Sequence, residues 1–121
     1  MKECVFLKIG IIGSREIDDI NDAVLLIEEN LPDGCSEIVS GGAEGIDKAA
    51  KISAKRLSLQ YTCFLPEYDK FGKSAPIVRN QKIVDYSDEI LAFWDFKSKG
   101  TQNGILESIK TQKPVKIINI I

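Results

Sequence analysis

A chain of 121 residues, 44% hydrophobic and 28% charged, has the size and composition of one globular domain, expected to span residues 1–121. It contains no histidine, which excludes Ser-His-Asp and Cys-His catalysis and any histidine-based metal site. Its formal net charge of −2 speaks against a dedicated duplex-DNA binder, although balance alone does not exclude a local basic patch, and nucleic acid is not the expected partner.

Cys4, Cys35 and Cys63 form no CxxC pair, and neither a metal site nor a disulfide framework is indicated. They read as buried thiols in a reducing compartment. Met1 is followed by Lys2-Glu3 with no signal-peptide pattern, and no apolar run reaches the ~18 residues of a membrane span. A cytoplasmic protein with no membrane contact is expected.

Val5 to Ile12 is a β-branched run ending at Gly13-Ser14-Arg15, the pattern of a strand buried on both faces. Ile17, Ile20, Val24, Ile27 and Leu31 then recur at helical spacing until Pro32-Asp33-Gly34. A short strand over Glu37 to Ser40 runs into Gly41-Gly42-Ala43-Glu44-Gly45-Ile46-Asp47. The helix predicted from Ile46 to Leu57 places Ala49, Ala50, Ser53 and Ala54 on its inner side, which lets it lie close to a sheet. Tyr61 to Leu65 is a third strand, and Glu67 to Ala75 reads as a loop. Pro76 suits the first turn of a helix to Tyr86. Glu89 to Trp94 is a fourth strand. Thr101 is the expected cap of a helix to Thr111 that turns Ile105, Leu106 and Ile109 inward. Val115 to Ile121 is the last strand.

This β/α alternation predicts a three-layer α/β domain with a five-stranded parallel sheet and helices on both faces. The preferred Rossmann-like order is 3-2-1-4-5, with 2-1-3-4-5 as the alternative. Either order collects the strand-to-helix loops on one sheet edge, where ligands bind. The loops at 13–15, 41–45 and 100–104 should therefore converge.

Glycines at 41, 42 and 45 permit close backbone approach to an anion, and a helix start favours phosphate; a tight turn with close packing is the plain alternative. Asp47 reads as a first-turn carboxylate favoured by the helix dipole, or as a contact for a ribose hydroxyl. Arg15 and Arg79 offer planar forks suited to phosphate. Lys99, Gly100 and Thr101 repeat the theme with a cation, a permissive glycine and a hydroxyl. Trp94 or Tyr68 would flank a base. The expected ligand is a small phosphorylated anion.

Gly-Ser-Arg at 13–15, Ser-Gly-Gly-Ala-Glu-Gly-Ile-Asp at 40–47, Pro-Ile-Val-Arg-Asn at 76–80, Ser-Asp-Glu-Ile-Leu-Ala-Phe-Trp-Asp at 87–95 and Ser-Lys-Gly-Thr-Gln-Asn-Gly-Ile at 98–105 together resemble the SLOG superfamily, in its YspA-like, YpsA-related branch. Its relatives include the DNA-processing protein DprA and the LOG phosphoribohydrolases. The resemblance implies a Rossmann-like domain that binds nucleotide-type ligands on Gly13, Ser14, Arg15, Gly41, Gly42, Ala43, Glu44, Gly45, Asp47, Arg79, Asn80, Trp94, Lys99, Gly100, Thr101 and Asn103. It departs from the LOG enzymes where they carry catalytic groups. Arg79 matches their arginine, but Asn80 replaces the following lysine and Gly104 stands where the catalytic glutamate is expected.

The leading expectation is thus a nucleotide-binding or sensor domain, without a cofactor or metal and pairing as a dimer. The first alternative is a nucleotide N-glycosidic hydrolase using Arg79 with Glu44 or Asp95. The second is a DprA-like single-strand binder.

Overall fold

The apolar runs of β1 (Leu7–Gly13) and β4 (Glu89–Trp94) are buried on both faces and form the middle of one parallel sheet, with less apolar strands toward its edges. The computed structural model describes residues 6–120. In chain order the elements are β1 (Leu7–Gly13), α1 (Ile20–Asn30), β2 (Cys35–Ser40), α2 (Ile46–Arg56), β3 (Gln60–Cys63), α3 (Tyr68–Phe71), a 3-10 turn (Gly72–Ser74), α4 (Ala75–Tyr86), β4 (Glu89–Trp94), α5 (Lys99–Lys110) and β5 (Val115–Asn119). The strand order is β3-β2-β1-β4-β5 with every pair parallel, as the preferred sequence reading had it.

Alternation along β1 divides the core. Ile9 and Ile11 face α1 and α2, joining Val24, Ile27, Ile38, Ala49, Ala50 and Phe93. Ile12 faces the other way, into a cluster with Val39, Ile83, Val84, Ile90, Ala92 and Ile105 beneath α4 and α5. The small residues of α2 perform as expected. Ala49, Ala50, Ser53 and Ala54 are all buried, and Ser53 Oγ donates to Val24 O (3.4 Å), tying α2 to α1.

Several local expectations are corrected. The stretch 67–75 is not an irregular loop. Lys70 N and Phe71 N donate to Glu67 O, and Lys82 Nζ pairs with the Glu67 carboxylate at 2.6 Å, which winds one short turn too brief to show a period. Residues Phe64 and Leu65 lie beyond β3, and Leu65 is exposed.

Helix α5 begins at Lys99, and its cap is Ser98 rather than Thr101. Ser98 Oγ accepts from Thr101 N at 3.3 Å and pairs with the Thr101 hydroxyl at 3.0 Å. Leu106 and Ile109 point outward at 57% and 59% exposure. The buried stripe is Thr101, Gly104, Ile105 and Ser108, because the small residues allow a close approach that two large side chains would prevent. Cys63 is exposed and Cys35 half-buried, so these two are not the core thiols expected; Cys4 lies outside the described residues. Among the described residues no helix is long and apolar enough to cross a membrane.

Candidate functional site

Parallel strands place their C-terminal ends, and the starts of the helices that follow, on one edge of the sheet. Ser14, immediately after β1, knots that edge together. Its N–H donates to Phe93 O (3.2 Å), its carbonyl accepts from Ile46 N (3.1 Å), and its hydroxyl accepts from Asp95 N (3.3 Å). The loops after β1, β2 and β4 are thereby locked to one another, and Ser14 itself is buried.

Two glycines make this closeness geometrically necessary. Gly45 has φ 73° and ψ −123°, and a Cβ there would lie 2.3 Å from Arg15 O and 2.4 Å from Ser14 O. A Cβ on Gly41 would meet the Arg79 guanidinium at 2.3 Å.

Between the loops lies a cavity of about 300 Å³. Gly13 and Arg15 line it from the end of β1, Ala43 and Asp47 from the start of α2. Arg79 and Asn80 contribute from α4, and Gly100 and Thr101 from α5. Ile12, Pro76 and Ile83 supply an apolar floor that the motif reading did not foresee, since those residues read only as core and helix start. The three glycine-bearing segments do converge, and the first turns of three helices border the same space.

Arg79 spans the cavity. One terminal guanidinium nitrogen donates to Gly41 O (2.6 Å), and Nε donates to Asn80 Oδ1 (3.0 Å). Asn80 is buried, and its Nδ2 donates to Gly100 O (3.2 Å) and Asn103 Oδ1 (3.1 Å). Arg79 and Asn80 thus link the α2 loop to the start of α5, with Asn103 as the far anchor.

Asp47 has a role that the sequence reading missed. Its Oδ2 accepts from Ala43 N at 3.1 Å, closing the glycine loop on itself. The signal was available: a carboxylate four residues after a loop amide at a helix start can reach back to it. Burial pushes the Asp47 carboxyl up from its ordinary range, while the Ala43 bond and the nearby Arg79 and Arg15 pull it partly back. The amides of Ala43, Ile46, Thr101 and Gln102 are all engaged within the protein. The attraction for an anion therefore rests more on the two guanidinium groups than on a nest of backbone N–H groups.

The remaining expected residues lie apart from the cavity. Glu44 and Lys99 are exposed and do not line it. Trp94 packs on Phe96 with ring centroids 4.6 Å apart and donates from Nε1 to Ser98 O (2.9 Å), which makes it a support of the loop. Tyr68 is exposed on α3. Asp95 accepts from Lys97 N and Ser98 N, each at 2.8 Å, and these bonds hold its carboxyl below the usual range. It borders a second cavity instead, together with Glu16, Asp18, Asp19 and Asp22. That space is larger, about 610 Å³, but five carboxylates against Lys97 make it repel phosphate. Charge, not size, selects the first cavity for an anion.

Neither carboxylate considered for hydrolysis shares the cavity with Arg79. Gly104 is buried on α5, where a Cβ would lie 2.6 Å from Ile12 Cδ1, so the position of the expected glutamate is taken up by packing against β1. Among the described residues no group of His, Cys, Asp and Glu is arranged to hold a metal ion.

Fold and site together define a Rossmann-like domain with an arginine-lined crevice at the carboxyl edge of its sheet. The chain belongs to the family of DNA recombination-mediator protein A, whose model matches residues 3–68. Among solved structures it is similar to DNA processing protein A from Helicobacter pylori, with 24% identity and a TM-score of 0.71 over 92% of this chain and 64% of that one. It is also similar to DNA processing protein A (DprA) from Streptococcus pneumoniae, with 18% identity and a TM-score of 0.70 over 93% of this chain and 50% of that one. At these identities the likeness is one of fold, and this chain spans between half and two-thirds of those proteins. No curated protein sequence matches it.

These likenesses overturn one expectation. The Helicobacter pylori protein is described by its mode of binding single-stranded DNA, so the argument from net charge against a nucleic-acid partner does not hold. Net charge averages over the whole surface, whereas a strand meets only the local field of the face it touches.

Proposed function

We propose that residues 1–121 form one SLOG-type domain that binds single-stranded DNA, seating a backbone phosphate in the crevice between Arg15 and Arg79. The observation that carries this reading is that Arg15 and Arg79 line one cavity, in a fold shared with a single-strand binder. Gly41, Gly42 and Gly45 let the loop after β2 pack closely against Arg79, Cys63 and Ser14 and so shape the crevice, Gly13 lines it, and Gly100 and Thr101 present the start of α5 to the phosphate. Asn80 and Asn103 hold Arg79 and α5 in register; Ser14 and Trp94 brace the loops. Exposed Lys99, next in sequence to the lining residues Ser98 and Gly100, adds long-range attraction to the polyanion, and exposed Glu44 takes no part in holding it.

Anisotropy of a fluorescent oligothymidylate, titrated at several salt concentrations, tests the reading. Binding should weaken with salt, and Arg15→Ala should lower both affinity and the salt slope, by about one unit for each phosphate no longer neutralised. Absence of binding at low salt, or affinity indifferent to Arg15→Ala, would refute it.

A second reading, a free nucleotide as ligand, is favoured by the cavity volume, which is at the small end of the range for small-molecule sites. It fits the YspA-like motifs at 13–15, 40–47 and 98–105. Thermal stabilisation by mononucleotides with no oligonucleotide binding would select it.

A further inference from the structure

The crevice contains a group that a simple anion site would not have. Asp47, only 7% exposed, lines it together with Arg15 and Arg79. These three are the charged side chains among the described residues lining the cavity, so its formal charge is one positive unit. Arg15 follows β1 and Arg79 lies on α4. From β3, Tyr61 also faces Asp47 electrostatically, but its hydroxyl is pushed up to about 12 and stays neutral. Closing the glycine loop does not require a negative charge, because a neutral Asn or Ser oxygen accepts from an amide equally well.

The charge has a consequence for what fits. Attraction to the site grows in proportion to ligand charge, whereas the cost of stripping water from the ligand grows with its square. A site of one net positive unit is therefore matched to a monoanion. With Asp47 neutralised it would carry two units and lose that match.

We propose that Asp47 makes the crevice selective for a monoanionic phosphodiester, as found within a nucleic-acid strand, over the dianionic phosphomonoester of a strand end or a free mononucleotide. This rests on the strand-binding reading and narrows it to internal linkages. Asp47 is a specificity residue here, acting on the ligand through charge while its Oδ2 holds the Ala43 amide.

The test compares thymidine 5′-monophosphate with its monomethyl ester by calorimetry on the full chain, alongside oligothymidylate. At about pH 7.5 the phosphomonoester is mostly dianionic, its second pKa being near 6. The protein should then prefer the ester by about tenfold or more, given the size of like-charge effects in a partly desolvated site. The preference should shrink at about pH 5, where the monoester becomes a monoanion and where Asp47, its carboxyl raised by burial, moves toward its neutral form. No histidine contributes to that change.

Asp47→Asn, with Asp47→Ser as a second neutral cap, should bring the two ligands toward parity at both pH values. A merely structural Asp47 would weaken both ligands together and leave their ratio unchanged, which overturns the proposal. So does an unmodified protein that binds the monoester as tightly as the ester at the higher pH, or that binds neither. If the small probes separate as expected but oligothymidylate does not bind, the strand reading fails and the selection by Asp47 stands.

Discussion

Replacing Gly45 with alanine separates close backbone packing from the general flexibility of glycine. At φ 73° and ψ −123° the residue lies where side chains with a Cβ are strained, at a cost of about 1–3 kcal/mol. The new methyl would also sit 2.3–2.6 Å from the backbone of Ser14 and Arg15, which is no flexible side-chain tip able to move aside. Relieving the overlap pulls Ile46 N from Ser14 O, now 3.1 Å apart, and costs about 1 kcal/mol more. The total is about 3 kcal/mol, a large part of the roughly 5–15 kcal/mol that holds a domain together. It corresponds to a fall in Tm of about 10 °C at this chain length.

Gly100→Ala is the matched control. It lies in the first turn of α5 with no atom within 4 Å of its would-be Cβ, so alanine should be neutral or stabilise by about 0.5–1 kcal/mol. Urea and thermal denaturation of both variants measure the difference. A Gly45→Ala protein within about 1 kcal/mol of the parent would refute the claim that the loops after β1 and β2 are locked at this point.

Two further outcomes are expected. Asp95→Ala should destabilise the protein at neutral pH by removing the acceptor for Lys97 N and Ser98 N. Because the folded carboxyl is held below its ordinary value near 3.9, its contribution is present above that pH and lost as pH falls through the folded pKa. The Tm gap between parent and variant should therefore close in acid; a gap constant down to the acid limit would contradict the assignment. Peptide mapping after brief treatment with a thiol reagent should find Cys63 modified well before Cys35. Cys35 is half-buried, desolvation raises its pKa, and its Sγ donates to Glu37 O at 3.6 Å. Equal rates would show that β2 opens as readily as the exposed end of β3.

The fold was legible because its signals are local. Runs such as Val5 to Ile12 and Glu89 to Trp94 carry β-branched and aromatic side chains, and the intervening segments carry helical periods or helix-starting residues. Chain connectivity with right-handed crossovers then left few arrangements of the sheet. The convergence of the segments near 13, 43 and 100 followed from the same rule, since every strand-to-helix junction of a parallel sheet lies on one edge.

What remained undecided depends on distances between residues far apart in sequence. Leu106 and Ile109 looked like core residues, yet Gly104 and Ser108 take the inner side because α5 lies close to Ile12. Thr101 and Ser98 are both competent caps, and the hydrogen bonds at the end of β4 decide for Ser98. The charged motifs named Arg15, Arg79 and Asp47 as separate candidates. Only the folded chain shows that they share one cavity, with Asp47 bonded to Ala43 and Arg79 to Gly41. The sequence by itself determined which loops meet; tertiary packing determined which of their groups are already engaged and the charge an incoming ligand would meet, because hydrogen-bond partners and local fields depend on positions in space and not on order along the chain.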